Sequence, residues 1–463
     1  MNKYTDEQLK FIDYTGNESI ILSATAGSGK THSTVGRLNK MIEDGVDPSK
    51  IIFFSFTNDA VNELRSRIKH NVKITTIHSF TSSILGKMGL FKPIVTFYEF
   101  TNWYKEKYKP HVKDPLKIKQ QYATNVDRFY EEGANISSTF SAFKLQNADG
   151  LKVPKPAFYD EYCAFIKETK SRDFSDMLID TEKYSRNPRY KSFFENLYDY
   201  IFVDEYQDTS TLQMKILLAI KAKQYHLIGD KNQSIYGFSG ANCEAIENLL
   251  INNHKTIEMT LTKNFRSHKR IVENSNRYSD LKAIPFHDHD GYIHDKLIDE
   301  DRLYEMMEDG KPLAILARTN NVIKEIEKYC LKNKIKMRYF NYITEQDIKN
   351  IRDNKINPSL KKRLESVAPY HKNTFGLIDF IEANKDSDVF VTSIHKSKGR
   401  EFPRCVIVNS VDPEMADNDD NFFDFDKYSF ITENGDIDLE ARNIHYVAVT
   451  RPKEELYFLI FEL

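Results

Sequence analysis

The sequence predicts an α/β protein built on parallel sheets, and three observations carry that prediction. Short continuous apolar runs recur along the 463 residues, helical patterns fill the intervals, and chemically capable residues stand directly behind the runs. The runs are Ser19–Leu22, Ile51–Phe56, Tyr200–Val203, His226–Ile228, Ala314–Ala317, Val389–Val391 and Cys405–Val408. Runs of this length without polar alternation suit strands buried on both faces. Helical patterns such as Asn58–Ile68 and Leu212–Ile220 lie between them, and strands alternating with helices give parallel sheets. Ligands of such sheets bind beyond the carboxyl ends of the strands. Gly29-Lys30-Thr31, Thr57-Asn58, Asp204-Glu205, Gly229-Asp230 and Ser393-Ile394-His395 all fall there.

The chain is too long for one core. Two segments interrupt the α/β alternation. Residues 81–170, rich in Tyr, Phe and Lys, are expected as a helical insertion in a first domain made of 1–80 and 171–255. Residues 331–387, rich in Lys and Asn, are expected as a second, smaller insertion in a second domain made of 256–330 and 388–463. The segment 411–440 is strongly acidic and is expected as a solvated loop.

Composition narrows the function classes. Hydrophobic residues make up 40% and charged residues 29%, as in a soluble globular protein. Lys plus Arg (66) nearly balances Asp plus Glu (68), so an anion-binding surface has to be a local patch. Cys163, Cys243, Cys330 and Cys405 are scattered with no C-x-x-C pair, which argues against a zinc or iron–sulfur site and against a disulfide framework. The N-terminus lacks the apolar core of a signal peptide, and no stretch reaches the ~20 apolar residues of a membrane span. A cytoplasmic location is expected, in a bacterial cell or encoded by a phage.

The segment Ala24-Thr25-Ala26-Gly27-Ser28-Gly29-Lys30-Thr31 follows a strand and opens a helix. Glycines there let backbone N–H groups curl around phosphates, with the helix N-terminus adding positive partial charge. Lys30 is placed to reach the β- and γ-phosphates, and Thr31 to bind Mg²⁺. The strict pattern asks for glycine where Ala24 stands. At the end of Tyr200–Val203 come Asp204, a second Mg²⁺ ligand, and Glu205, which suits orienting and deprotonating an attacking water. An acidic pair at a strand end is also a common solvated cap; the phosphate loop is what favours hydrolysis. Arg266 and Arg451 are candidates for offsetting the charge developing on the γ-phosphate; by composition alone either reads as a surface arginine, and their weight comes from the order of the segments.

The order of the segments is more telling than any one of them. Gln8 is followed by the phosphate loop, Phe56-Thr57-Asn58, Thr75-Thr76-Ile77-His78, Asp173-Phe174-Ser175-Asp176, Asp204-Glu205-Tyr206-Gln207-Asp208, Gln233-Ser234-Ile235-Tyr236-Gly237-Phe238, Asn264-Phe265-Arg266-Ser267, Ala317-Arg318-Thr319-Asn320, Thr392-Ser393-Ile394-His395 through Glu401, and Tyr446 to Arg451. This series resembles the ordered motif set of UvrD/Rep/PcrA-like helicases of superfamily 1, in a compact form.

That resemblance implies two RecA-like motor domains with mostly helical insertions, ATP and Mg²⁺ as cofactors, and single-stranded DNA and its junctions with duplex as partner. It assigns Gln8 to the adenine edge and Phe265 to its face. Ala26, Gly27, Ser28 and Gly29 would cradle the phosphates beside Lys30 and Thr31, and Glu401 would hold the ribose. Gln233 would link the γ-phosphate to the DNA-contacting loop, and Arg266 and Arg451 would act as arginine fingers. Phe56, Tyr236 and Phe238 resemble the family's base-stacking rings. Thr57, Asn58, Thr76, His78, Arg318, Asn320, Thr392 and His395 resemble its phosphate contacts.

Departures are equally legible. Phe238 stands where the family usually has Trp, Ser239 where Arg is common, and His32 where an Arg often packs on adenine. The large accessory domain of the long bacterial enzymes is reduced to 331–387, and neither a fused nuclease nor a C-terminal tail is expected. A monomeric 3′→5′ DNA helicase of replication, repair or recombination is the preferred expectation. A nucleotide-gated DNA-sensing subunit of a nuclease or antiphage complex, with its own protein partner, and an RNA motor are the competing ones.

Overall fold

The computed structural model describes residues 4–460 apart from 112, 149, 151, 196, 238–239, 339–342, 354–355, 357 and 410–437. Phe238, Ser239 and most of the acidic segment therefore lie outside the described residues. Chain contacts define two units. One runs to Leu261 without residues 25–28; the other begins at Thr262 and includes Thr25–Ser28.

The first unit is built on six strands: β1 (Ser19–Ala24), β2 (Ile51–Phe54), β3 (Lys73–Thr75), β4 (Tyr200–Asp204), β5 (Gln224–Gly229) and β6 (Thr256–Leu261). They form one sheet in the order β3-β2-β4-β5-β1-β6, and every pairing is parallel. The sheet is covered on both faces. Ile20 and Leu22 of β1 pack with Val61 and Leu64 of the helix Asn58–Arg67, whereas Ile21 packs with Ile77, Phe80 and Ile84 of the helix Ile77–Lys87. Two-sided burial is why these strands read as unbroken apolar runs.

Between β3 and β4 the chain makes the helices Ile77–Lys87, Phe97–Lys107, Leu116–Ala148, Tyr159–Glu168 and Phe174–Ser185. Phe100, Phe129, Phe140, Tyr162 and Phe165 form a separate aromatic core there. Its entrance and exit meet: Ile94 bridges Arg172, Arg172 N donates to Pro93 O and Val95 N to Arg172 O. Lys144, almost buried, is held by Asp173 (2.8 Å) and Asp176 (2.7 Å), and the Tyr162 hydroxyl also donates to Asp173 (2.9 Å).

The second unit has a short ladder of β7 (Lys263–Asn264) with β8 (Ile284–Pro285), and a sheet of β9 (Tyr292–Ile298), β10 (Leu313–Ala317), β11 (Val389–Ser393), β12 (Phe402–Asn409) and β13 (Pro452–Ile460). Its order is β11-β10-β12-β13-β9, all parallel. The helices Glu345–Arg352, Pro358–Val367 and Thr374–Ala383 occupy most of the expected small insertion. Ile348, Leu360, Leu364, Leu377 and Ile378 join one core with Leu313, Ile315, Val389 and Val391.

Both sheets hold strands that the apolar runs do not announce. β3, β6 and β9 are edges, where one side of the strand faces solvent and the apolar run breaks; β6 buries only Met259 and Leu261. Because β6 pairs with β1, the first unit closes at Leu261 rather than at 255.

Candidate nucleotide and nucleic-acid site

In the first unit the helix Lys30–Glu43 begins directly after the phosphate loop, with Gly29 in the left-handed region (φ 80°) as its cap. A side chain at Gly29 would put its Cβ 3.0 Å from the Gln8 amide nitrogen, so Gln8 sits against the loop. Gln8 is buried, and its carbonyl oxygen accepts the Thr5 N–H (3.0 Å) in a capping box that fixes the short helix Asp6–Ile12. The Tyr4 ring stacks on His32 at 4.7 Å and 28°. The sequence gives no signal for Tyr4 because this pairing exists only once the N-terminal helix folds back.

The Lys30 ammonium stands 3.8 Å from Glu205 Oε1. Glu205 holds a left-handed backbone (φ 52°), a conformation that non-glycine residues adopt only when their surroundings impose it. Burial and the adjoining Glu205 push the Asp204 carboxyl up to about 7, with Lys30 opposing. A divalent cation with oxygen ligands suits the Thr31 hydroxyl and the Asp204 carboxylate, both hard donors. Among the described residues no group of three or more His, Cys, Asp or Glu forms a metal cage; an ion here would complete its shell with phosphate and water.

From Glu205 a hydrogen-bonded relay runs along the sheet edge. Gln207 Nε2 donates to Glu205, Asp230 N donates to Gln207 Oε1 (3.2 Å), and Gln233 Nε2 donates to Asp230 Oδ2 (2.8 Å). Ser234 Oγ adds a bond to the Gln207 carbonyl (3.1 Å). Gln207 and Asp230 are parts the sequence reading did not assign. Gly229 is required for this approach, since a Cβ there would collide with Gln207 Oε1 and the Tyr206 ring.

Three residues past Gln233 in the chain stands Tyr236, one of the rings expected to stack on bases. Phe56, 43% exposed at the end of β2, packs on Tyr236 with centroids 5.2 Å apart. Thr57 caps its helix through Ala60 N (3.2 Å), Asn58 is exposed, and Thr76 caps the next helix through Ser79 N (3.2 Å). His78 is half-buried, edge-on to Phe174 at 5.6 Å, and burial lowers its pKa. A cavity of about 70 Å³ is lined by Phe56, His78 and Asp204 together.

In the second unit Asn264 Nδ2 donates to Ala26 O (2.8 Å) and Phe265 N to Gly27 O (2.9 Å), with Ala26 N directed to the Tyr446 hydroxyl (3.4 Å). Ser28, also grouped there, is buried and donates to Thr25 O (2.8 Å). Phe265 is half-buried against Phe286 (4.9 Å). Arg266 Nε is held by Glu401 (2.8 Å), and Lys453 also pairs with Glu401 (2.5 Å). Arg451 is 1% exposed and donates to Val447 O (2.8 Å), Arg400 O (3.0 Å) and Thr450 Oγ1 (2.9 Å). Arg318 and Asn320 are exposed beyond β10, Thr392 is buried on β11, and His395 is half-buried in the turn of helix after it.

A parallel sheet that presents a glycine-rich phosphate loop and paired carboxylates at its carboxyl edge defines a P-loop nucleotide-binding protein. The chain belongs to the UvrD/REP helicase family: residues 4–255 match the UvrD/REP helicase N-terminal domain, and residues 346–462 match the UvrD-like helicase C-terminal domain. It is similar to the ATP-dependent DNA helicase PcrA of Staphylococcus epidermidis, 29% identical over 286 residues, 56% of this chain and 37% of the relative. The PcrA of Leuconostoc citreum is 29% identical over 301 residues, 59% and 39% of the two chains. The ATP-dependent DNA helicase Rep of Buchnera aphidicola is 27% identical over 377 residues, 72% and 54%. The matches thus span roughly two-fifths to half of these relatives' length. No described helix is long and apolar enough to cross a membrane.

Proposed function

We propose that this protein is an ATP-driven motor on single-stranded DNA that moves 3′→5′ and separates duplex strands. The observation that carries the proposal is the relay from Glu205 through Gln207 and Asp230 to Gln233, beside the Phe56–Tyr236 ring pair. It gives a single sheet edge both a hydrolytic carboxylate and a stacking platform. The relatives this chain resembles, PcrA and Rep, are ATP-dependent DNA helicases, which points the same way.

Mg²⁺ held by Thr31 and Asp204 would supply charge neutralisation at the phosphates. Lys30 orients and partly neutralises the γ-phosphate. Glu205 takes a proton from water, the water oxygen forms a bond to the γ-phosphorus, and the bond from that phosphorus to the bridging oxygen breaks. ADP leaves with the bridging oxygen and phosphate is released. Arg266 and Arg451 are proposed as the cations that offset the developing charge, and Glu401 as the ribose contact. A change at Glu205 would reach Gln233 through Gln207 and Asp230, three residues before Tyr236 in the chain, and that path is proposed to couple hydrolysis to the DNA grip.

Steady-state ATP hydrolysis with and without single-stranded DNA, single-stranded RNA and blunt duplex tests this, with Lys30→Ala as control. Strong stimulation by single-stranded DNA, followed by displacement of a strand from a 3′-tailed duplex, is expected. Absence of stimulation by any nucleic acid in a folded protein overturns the motor and favours a partner-dependent nucleotide switch.

A further inference from the structure

The first sheet ends at β3, and a groove of about 560 Å³ runs along that edge. The helices Asn58–Arg67 and Ile77–Lys87 cover opposite faces of the sheet, so the groove is framed by both. Arg65, Lys73 and Lys87 line it, one from each helix and one from the strand, and among the described residues no Asp or Glu lines it. The acidic residues of the first helix are disposed of elsewhere: Glu63 pairs with Arg67, and Asp59 does not line the groove. Asn62, Ser79 and Ser83 add exposed donors. Arg65 is anchored by a bond from Nη2 to the Ile74 carbonyl (2.9 Å), so one of its two terminal nitrogens is spent on fixing its position.

A carboxylate-free groove with three cations and small donors fits a polyanion. Its position identifies which one. Asn58 and Thr76 line this same groove, and both stand next to the stacking ring Phe56 or at the head of the neighbouring helix. We propose that the groove is an outer phosphate site, which takes the backbone of the nucleic-acid strand after it leaves the Phe56–Tyr236 rings. This rests on the single-strand reading above and extends it to Arg65, Lys73 and Lys87. The groove's polar lining is made of cations and small donors, with Phe80 buried and Tyr198 half-buried among the lining residues, so the contacts it offers a strand are chiefly to the backbone, which carries no sequence preference.

The test is the salt dependence of binding to an oligothymidine that overhangs the rings on both sides, in the full chain. On a single strand, each phosphate that a cation no longer neutralises lowers the slope of log Kd against log salt by about 0.7. The Lys73→Gln/Lys87→Gln double variant, with its fold checked by circular dichroism, is expected to reduce that slope by about 1.4, twice the single-phosphate value. Independently, a photoreactive group on Ser83→Cys is expected to cross-link the same strand. An unchanged slope in the folded variant, or no cross-link at Ser83→Cys while the strand is bound, overturns the groove and leaves the motor standing. Failure of the unaltered chain to bind the strand at all overturns the motor reading and this one with it.

Discussion

Phe56 and Tyr236 lie 180 positions apart in the chain (236 − 56) and yet pack ring against ring, with centroids 5.2 Å apart and planes tilted by 31°. One comes from the end of β2 and the other from the loop after Gln233, so the pair records the distance between two strand ends. A base stacked on such rings contributes about 1–3 kcal/mol. Phe56→Ala and Tyr236→Ala are each expected to weaken single-stranded DNA binding by roughly 5- to 150-fold, measured by fluorescence anisotropy. Phe56 is partly exposed, so its removal should leave the thermal midpoint nearly unchanged.

Glu205→Gln keeps the shape of the carboxylate and removes its basicity. Hydrolysis is expected to fall about 10²–10⁴-fold, while a fluorescent ATP analogue still binds. If both fall together, Glu205 is a binding group and the water-activating role fails.

Gln207 touches both Glu205 and the Asp230 backbone. Gln207→Leu should therefore lower the factor by which single-stranded DNA stimulates hydrolysis, by about tenfold or more, the scale of hydrogen bonds to charged groups. DNA-free hydrolysis measured alongside separates lost coupling from lost chemistry: a drop confined to the DNA-free rate would refute the relay.

His226 sits on β5, stacked on Phe202 at 4.3 Å and edge-on to Phe11 at 6.4 Å, and among the described residues neither ring nitrogen has a hydrogen-bond partner. Burial holds its pKa well below the usual range, with Arg37 adding to the effect. The folded state thus resists a proton that the unfolded chain accepts. Stability present above about pH 6.5 should decline as pH falls below it, by up to about 1.4 kcal/mol per pH unit. Urea unfolding across pH should show this slope, and His226→Phe should flatten it.

Lys144 neutralises two carboxylates in a nearly dry setting. Lys144→Met leaves Asp173 and Asp176 facing each other and should cost about 3–5 kcal/mol. The loss should register as faster amide exchange in Leu116–Ala148 and Phe174–Ser185. Exchange that speeds up equally in β1 and β5 would mean the insertion is not a separate folding unit.

Much of this was legible from residues alone, for physical reasons. β1, β2, β4 and β5 are buried on both faces, so their apolar runs survive in the sequence, and the phosphate loop and Asp204-Glu205 follow them. β3, β6 and β9 are half-exposed edges whose pattern is diluted. Gln8, Lys30, Glu205 and Gln233 carry local motif signals, whereas Tyr4 on His32 and Gln207 on Asp230 depend on distant segments meeting. Arg65, Lys73 and Lys87 are ordinary surface cations in the sequence, and only the placing of two helices beside the edge strand β3 assembles them.

The meeting of Ile94 with Arg172 has an evolutionary consequence. A segment that departs and returns at one point, with aromatic packing of its own, behaves as a cassette. Lengthening a closed loop is cheap, at about 0.6 kcal/mol for each doubling of its length. Lineages can therefore lengthen, shrink or exchange what lies between those two residues while the hydrolytic sheet beneath keeps its register. The same property makes this the natural place to graft a reporter or a new recognition module onto the first unit.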